Sequence, residues 1–404
     1  MNGQPISMFD FQNNYFPIGI IAMESARELA KLIDEHLMSW YYEEHPEAKD
    51  KEDARKSLII KSSCPRFNTG DAKAVLGETV RGYDIYIVTD VGNYNCTYTM
   101  YGKEVMMSPD DHYQDLKRVI SAISGKAQRI TVIMPTLYGG RQHKRSSRES
   151  LDAAHALQEL QAMGVSNILT FDAHDPRVQN ATPLMGFDNA MPNYQVLKAL
   201  FKKVPDLKID KDHLMIVSPD EGAMNRNIFY SSMMGLDLGM FYKRRDFTRI
   251  VNGRNPIIAH EYLGAAIEGK DVFVSDDIVA SGDSLLSLAY DLKKEGAKRI
   301  YLSATYALFT EGIERFHKAY AEGMFDGLLA TNLTYQSPEM LNAPWFINVD
   351  VSKYVAYFIL ASHQHRSVTT ILNSHEKIQK LIEKYVAEQK ERNEDEECTL
   401  FSQS

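Results

Sequence analysis

Val272-Phe-Val-Ser-Asp-Asp-Ile-Val-Ala-Ser-Gly-Asp-Ser-Leu285 reads as a short apolar strand, two acids at its carboxyl end, a loop of small residues and the start of a helix. In open α/β sheets, ligands bind where such strands end. The backbone N–H groups of Ala280, Ser281, Gly282, Asp283 and Ser284 can point at one anion, helped by the helix N-terminus, and the two serines add hydroxyl donors. Asp276 and Asp277 repel a phosphate; they suit sugar hydroxyls, or a Mg²⁺ reached through water. A plain strand with an acidic turn and a serine helix cap would use the same residues. Adjacent acids followed so closely by a small-residue loop favour the ligand site.

Working outward, short β-branched runs alternate with amphipathic stretches. Asp84–Thr89, Ile130–Met134, Ile168–Phe171, Leu214–Val217, Val272–Val274 and Ile300–Ser303 predict strands, several of them apolar throughout. Ser25–Trp40, Glu149–Met163 and Ser284–Lys294 predict helices. This alternation specifies α/β domains with mainly parallel sheets flanked by helices, and the strand–loop–helix units of the two halves suggest an internal duplication. Glu43–Lys56 reads as an exposed charged loop or helix, and Tyr94–His112, without a period, as a surface excursion. Residues 373–404 read as a helical and acidic tail whose end, Asn393–Ser404, is solvated and poorly ordered.

The bulk properties exclude several classes. A length of 404 residues allows two or three domains. A net charge of −9 argues against a general nucleic-acid or membrane-surface binder. Cys64, Cys96 and Cys398 form neither a metal knuckle nor a disulfide framework, which suits a reducing compartment. No signal peptide or apolar span is evident, so the expected location is cytoplasmic, without a membrane partner.

Five further motifs carry chemistry. Lys243-Arg244-Arg245 opens a segment running to Gly269-Lys270; three adjacent cations on a mobile loop could close over a triphosphate. Ser218-Pro219-Asp220-Glu221-Gly222-Ala223, with Arg226, follows one apolar run, and Phe171-Asp172-Ala173-His174-Asp175 follows another. Tyr138-Gly139-Gly140-Arg141-Gln142-His143-Lys144 offers an arginine fork suited to phosphate. Phe67, in Cys64-Pro-Arg-Phe-Asn-Thr-Gly-Asp71, can stack on a purine. Taken singly, these fit solvated surface, a turn histidine or a core phenylalanine equally well.

Their order and spacing resemble those of the ribose-phosphate pyrophosphokinase family, over roughly Gly19 to Leu372, and the acid-and-glycine loop also resembles that of type I phosphoribosyltransferases. The resemblance implies two phosphoribosyltransferase-like domains: 14–189 on the ATP side, with 355–372 packing back on it, and 190–354 binding ribose 5-phosphate. It implies that Phe67, Thr69, Asp71, Arg141, Gln142 and His174 serve ATP, that His174 and Asp220 serve Mg²⁺, and that Lys243 and Arg245 are catalytic. Asp276, Asp277 and the loop Ala280 to Ser284 would hold ribose 5-phosphate. The implied reaction moves pyrophosphate from ATP to the sugar's anomeric hydroxyl, in a homo-oligomer. In the phosphate loop two positions depart from the family, Ala280 replacing a third acid and Asp283 a glycine; in the adenine-binding segment Thr69 replaces an aspartate and Asp71 a glutamate. A non-catalytic regulatory paralogue and a pyrophosphokinase for another 5-phosphorylated acceptor therefore stay open. A phosphoribosyltransferase would leave the ATP-side motifs unexplained. An Asp283 carboxylate turned into the loop would repel a phosphate, whereas one turned outward would complement the helix N-terminus; the small residues around it favour outward.

Overall fold

The computed structural model describes residues 17–49, 56–145, 147–245 and 257–402, with the side chains of Ala48, 243–260 and 393–402 outside the description. The first half runs β1 (Ile18–Ala22), α1 (Arg27–Glu44), α2 (Pro46–Lys49), β2 (Ser62–Ser63), β3 (Val75–Leu76), β4 (Asp84–Val88), β5 (Thr97–Met100), β6 (Lys103–Met106), α3 (Pro109–Ile123), β7 (Arg129–Ile133), α4 (Asp152–Ala162), β8 (Asn167–Phe171) and β9 (Gly186–Ala190). The second runs α5 (Asn193–Lys203), β10 (Leu214–Ser218), α6 (Met224–Met234), β11 (Leu238–Arg245), β12 (Ile257–Leu263), β13 (Asp271–Val279), α7 (Asp283–Lys294), β14 (Ile300–Ala307), α8 (Glu314–Ala321), β15 (Gly327–Thr331), α9 (Pro338–Asn342), β16 (Phe346–Val349), α10 (Ser352–His363), α11 (Thr369–Leu372) and α12 (His375–Ser402). The chain divides into two compact units. One holds the described residues up to Met191 with Asn332–Tyr335 and Asp350–Leu372; the other holds Pro192–Thr331, Gln336–Val349 and the residues from Asn373.

In the first unit the sheet order is β1-β4-β7-β8-β9, all parallel. In the second it is β12-β11-β10-β13-β14-β15-β16, parallel except for β12. Strands buried on both faces are largely apolar, and Asp84–Val88, Leu214–Ser218 and Ile300–Ala307 are buried along their whole lengths. The first core gathers Ile85, Ile87, Val132 and Ile168 under Leu116, Ile120 and Leu157. The second gathers Val272, Val274, Leu302 and Leu328 under Leu288, Leu292 and Phe316.

The two sheets repeat one register. Ile18 faces Asp84, which faces Arg129; Leu214 faces Asp271, and Val272 faces Ile300. Each pair of central strands is locked at its start by the same fork. Arg129 Nε and Nη2 donate to the two oxygens of Asp84 at 2.9 and 2.5 Å, and Arg299 Nε and Nη2 to those of Asp271 at 3.0 and 2.6 Å. The duplication suggested by the sequence is thus visible residue by residue, with β11 and β12 added at one edge of the second sheet.

The structure refines three expectations. Tyr94–His112 contains the β5–β6 hairpin and the start of α3, set by a capping box in which Ser108 Oγ accepts from Asp111 N–H and Asp111 from Ser108 N–H. Alternating exposure along these short strands gave no long period to read. The tail expected to be helical from residue 373 is α12, described to Ser402. That helix is anchored upstream: Tyr385 stacks on Phe201 at 4.3 Å and donates to the Val204 carbonyl at 2.6 Å. The segment from Lys243 to Lys270 is not one loop, since it includes β12, antiparallel to β11.

Candidate active site

In the second unit, β13 continues through both acids instead of ending before them: Asp276 lies opposite Ala304 and Ile278 opposite Tyr306. The Asp276 carboxyl is pushed up to about 7, first by burial and then by the charge of Asp277. Arg226 opposes that shift, with Nη1 3.9 Å from Asp276. Asp220 follows β10 and is close enough to add to the negative field. Its Oδ1 accepts the N–H groups of Gly222 and Ala223 at 3.0 and 3.2 Å, so the start of α6 fixes its orientation.

Sequence reading missed Asn227, one residue beyond the motif that ends at Arg226. It is fully buried. Its amide donates to the carbonyls of Ala223 and Ser275 at 2.9 and 2.8 Å and accepts the Ser275 N–H at 3.0 Å. Asn227 thereby ties the ends of β10 and β13 together, which sets the spacing of Asp220 and Asp276. A single asparagine in a helix carries no such message in the sequence.

The small-residue loop sits directly on the core. Gly282 has φ 87°, and a Cβ there would meet Phe316 Cζ at 2.4 Å, so neither backbone nor space admits another residue. Asp283 is the first residue of α7. Its carboxylate accepts hydrogen bonds from Arg315 of α8 and, at 3.1 Å, from Ser281 Oγ. Ala280 keeps its carbonyl engaged by Thr310 N–H at 2.9 Å. With Ser284 in the first helical turn, the segment keeps the anion-facing geometry of a helix start.

Lys243, Arg244 and Arg245 end β11, opposite His260, Ala259 and Ile257, with a bulge between Arg244 and Arg245. Their backbone is the end of a strand; their side chains lie outside the described residues.

In the first unit, Phe67 is 53% exposed on a tight turn. Phe67 N–H donates to Asp71 at 2.7 Å, Gly70 N–H to Phe67 at 2.8 Å, and Thr69 Oγ1 to the Asp71 carboxylate at 3.0 Å. An exposed ring held on a hydrogen-bonded turn is available for stacking. Arg141 and Gln142 are exposed after β7, where Gln142 N–H closes a turn onto Gly139 at 2.7 Å. His174 follows β8. Its ring lies 5.4 Å from that of His143, whose Nε2 is 3.5 Å from Asp175. Arg177 grips Asp175 through two nitrogens and holds its carboxyl well below the usual range. His174 belongs to the first unit and Asp220 to the second. Among the described residues, no group of three or more His, Cys, Asp or Glu side chains could hold a metal by itself, and no helix is long and apolar enough to cross a membrane.

Two family profiles match the chain in succession: the N-terminal domain of ribose phosphate pyrophosphokinase over residues 18–164, and the phosphoribosyl transferase domain over 187–322. The chain is 26% identical over 316 residues to a ribose-phosphate pyrophosphokinase of Vibrio parahaemolyticus, covering 77% of this chain and 91% of the relative. To ribose-phosphate pyrophosphokinase A of Dictyostelium discoideum it is 22% identical over 329 residues, covering 81% and 94%. The fold is shared with phosphoribosylpyrophosphate synthetase from Mycobacterium smegmatis, with a TM-score of 0.67 and 18% identity, covering 86% of this chain and 99% of that one.

Proposed function

The chain belongs to the ribose-phosphate pyrophosphokinase family, and on that premise we propose that it transfers the terminal pyrophosphoryl group of ATP to the anomeric hydroxyl of ribose 5-phosphate. The observation that carries this reading is the succession of a ribose phosphate pyrophosphokinase N-terminal domain over 18–164 and a phosphoribosyl transferase domain over 187–322. The turns of Phe67 and Arg141 lie in the first match and those of Asp220 and Asp276 in the second, with His174 between the two.

On this reading Phe67 stacks on adenine, with Thr69 and Asp71 shaping its turn. Arg141, Gln142 and His174 hold the nucleotide's polar end. Asp276 and Asp277 accept hydrogen bonds from ribose hydroxyls, and the loop Ala280 to Ser284 takes the 5-phosphate. A bond forms between the anomeric oxygen and the β-phosphorus, and the β-phosphorus separates from the oxygen of the α-phosphate. AMP leaves, and the hydroxyl proton passes to solvent. Lys243 and Arg245 neutralise charge that develops on the transferring group.

Mg²⁺ belongs to the same reading: His174 of the first unit and Asp220 of the second would each serve it singly, as suits an ion that takes most of its oxygens from phosphates and water. When bound, it screens the phosphate charge. Assembly as a homo-oligomer belongs to the same reading, and sedimentation measures it.

A second acceptor reading rests on Asp283, an acid where the family has glycine. One assay addresses both: purified protein with ATP, Mg²⁺ and ribose 5-phosphate, products resolved by ³¹P NMR. AMP and phosphoribosyl pyrophosphate in equal amounts support the proposal. ADP as product, or AMP only with a different sugar phosphate, replaces it.

A further inference from the structure

The acid at position 283 poses an electrostatic problem. It sits in the first turn of α7, beside amides proposed to receive a dianion, and Arg315 together with the Ser281 hydroxyl keeps its carboxyl below the usual range. It is therefore fully ionised at neutral pH. An uncompensated carboxylate there would oppose phosphate binding.

The surrounding geometry supplies the compensation. Arg315 donates through Nη2 to Asp283 Oδ1 and through Nη1 to Glu311 Oε2, the latter at 2.8 Å. Arg315 is held in place by its neighbour in sequence. Phe316 is fully buried, stacks on Trp345 at 5.6 Å and forms the surface on which Gly282 rests. The stretch leading into α8 is hydrogen-bonded to the same loop: Leu308 N–H to the Val279 carbonyl at 2.8 Å, and Thr310 N–H to that of Ala280 at 2.9 Å. Loop and helix start are thus one braced unit, which places a guanidinium on Asp283 before any ligand arrives.

We propose that Arg315 is a positioning residue of the sugar-phosphate loop: it neutralises Asp283 and holds that carboxylate on α8, so that the loop amides can donate to the acceptor's phosphate. The inference rests on the proposed function of this loop. It explains how the family's glycine position tolerates an acid in this chain. Arg315 need not touch the substrate. Its removal should act on acceptor affinity and leave the chemical step alone, because compensation is needed whenever the phosphate is bound, in ground and transition states alike.

The test is a double-mutant cycle on the full chain. Ribose 5-phosphate binding is measured by calorimetry with a non-transferable α,β-methylene ATP analogue present, and kcat is measured from AMP release. Arg315→Ala should raise the Kd for ribose 5-phosphate at least tenfold, with kcat at saturating acceptor within threefold. Asp283→Gly alone should change Kd less than tenfold. The double variant Asp283→Gly/Arg315→Ala should return to within threefold of wild type, because the charge that Arg315 compensates is gone. Matching thermal melts confirm that each variant folds; if Arg315→Ala does not, Arg315→Gln takes its place in the cycle. Arg315→Ala binding as tightly as wild type overturns the proposal, as does a double variant as weak as Arg315→Ala. A wild-type protein that binds no ribose 5-phosphate and releases no AMP overturns the loop's proposed function itself, a distinct result.

Discussion

Counting from the paired forks, Asp90 in the first unit stands where Asp277 stands in the second, each six residues after the fork's aspartate, and Thr89 stands where Asp276 does. The two turns have opposite fates. The Asp90 carboxylate is buried and closed by the unit's own groups: Gly92 N–H at 2.8 Å, Thr334 Oγ1 at 2.9 Å and Tyr335 N–H at 3.1 Å. The Asp276–Asp277 pair instead concentrates charge beside a small-residue loop, with a guanidinium nearly 4 Å away. One copy of the repeat closes its acid with three hydrogen bonds; in the other the Asp276 carboxylate accepts the Asp277 N–H at 2.8 Å, and on the proposed function the pair serves a ligand. Function in a duplicated fold therefore cannot be read from the strand ends alone. It depends on what covers them.

The largest test of this contrast concerns what the second unit adds. Among the described residues the β11–β12 pair has no counterpart in the first sheet, and it carries Lys243. Lys243→Ala should lower kcat at least about 100-fold, roughly 2.7 kcal/mol of transition-state stabilisation, with little change in ATP affinity. Steady-state kinetics with near-normal kcat would show that the added strands are structural.

Next is the clamp between the first two parallel strands of each repeat. Asn227 makes it in the second unit. In the first, Ser25 and Asn93 share it: Ser25 Oγ accepts Asp90 N–H at 3.1 Å, and Asn93 donates to the Ser25 carbonyl at 2.8 Å. Asn227→Ala leaves the buried Ser275 N–H and carbonyl without that partner and should cost about 2–4 kcal/mol in denaturant unfolding. A cost below about 0.5 kcal/mol would mean that the clamp is incidental.

The third test uses pH. Asp276 is raised to about 7 and Asp90 to about 6, burial being the main cause in both. A carboxyl that holds its proton more tightly when folded contributes most stability below its unfolded pKa. That contribution falls as pH rises through the folded value. The ligand-free protein should therefore lose stability between about pH 4 and 7 on account of these groups. Asp276→Asn should raise Tm by a few degrees at pH 8 and hardly at all at pH 4. An equal gain at both values would rule out the ionised carboxylate as the cause.

The smallest effect is Asp283→Gly, which should move the KM for ribose 5-phosphate by less than about tenfold, or roughly 1.4 kcal/mol. A large tightening would mean that the native acid excludes this acceptor and that the natural one is different.

The central strands were legible because burial on both faces forces apolar runs, as in Ile130–Met134 and Ile168–Phe171. β1 escaped notice because Gly19 interrupts it; the glycine is there because a Cβ would meet Ile60 Cδ1 at 2.4 Å. β9, Gly-Phe-Asp-Asn-Ala, is an edge strand only partly buried, with no β-branched residue to mark it. In the site, local motifs were readable, but partnerships across the fold were not. Asp283 meets Arg315 32 residues later, and Asp90 meets Thr334 244 residues later. Only the assembled sheets bring such pairs together.

The central claim is a division of labour, with nucleotide on the first unit and sugar phosphate on the second. Calorimetry on two variants tests it most directly. With α,β-methylene ATP and ribose 5-phosphate titrated in turn, Phe67→Ala should weaken nucleotide binding at least tenfold and leave sugar-phosphate binding within about twofold; Asp277→Asn should do the reverse. If Phe67→Ala leaves nucleotide affinity intact, or Asp277→Asn weakens the nucleotide and spares the sugar phosphate, the division is wrong.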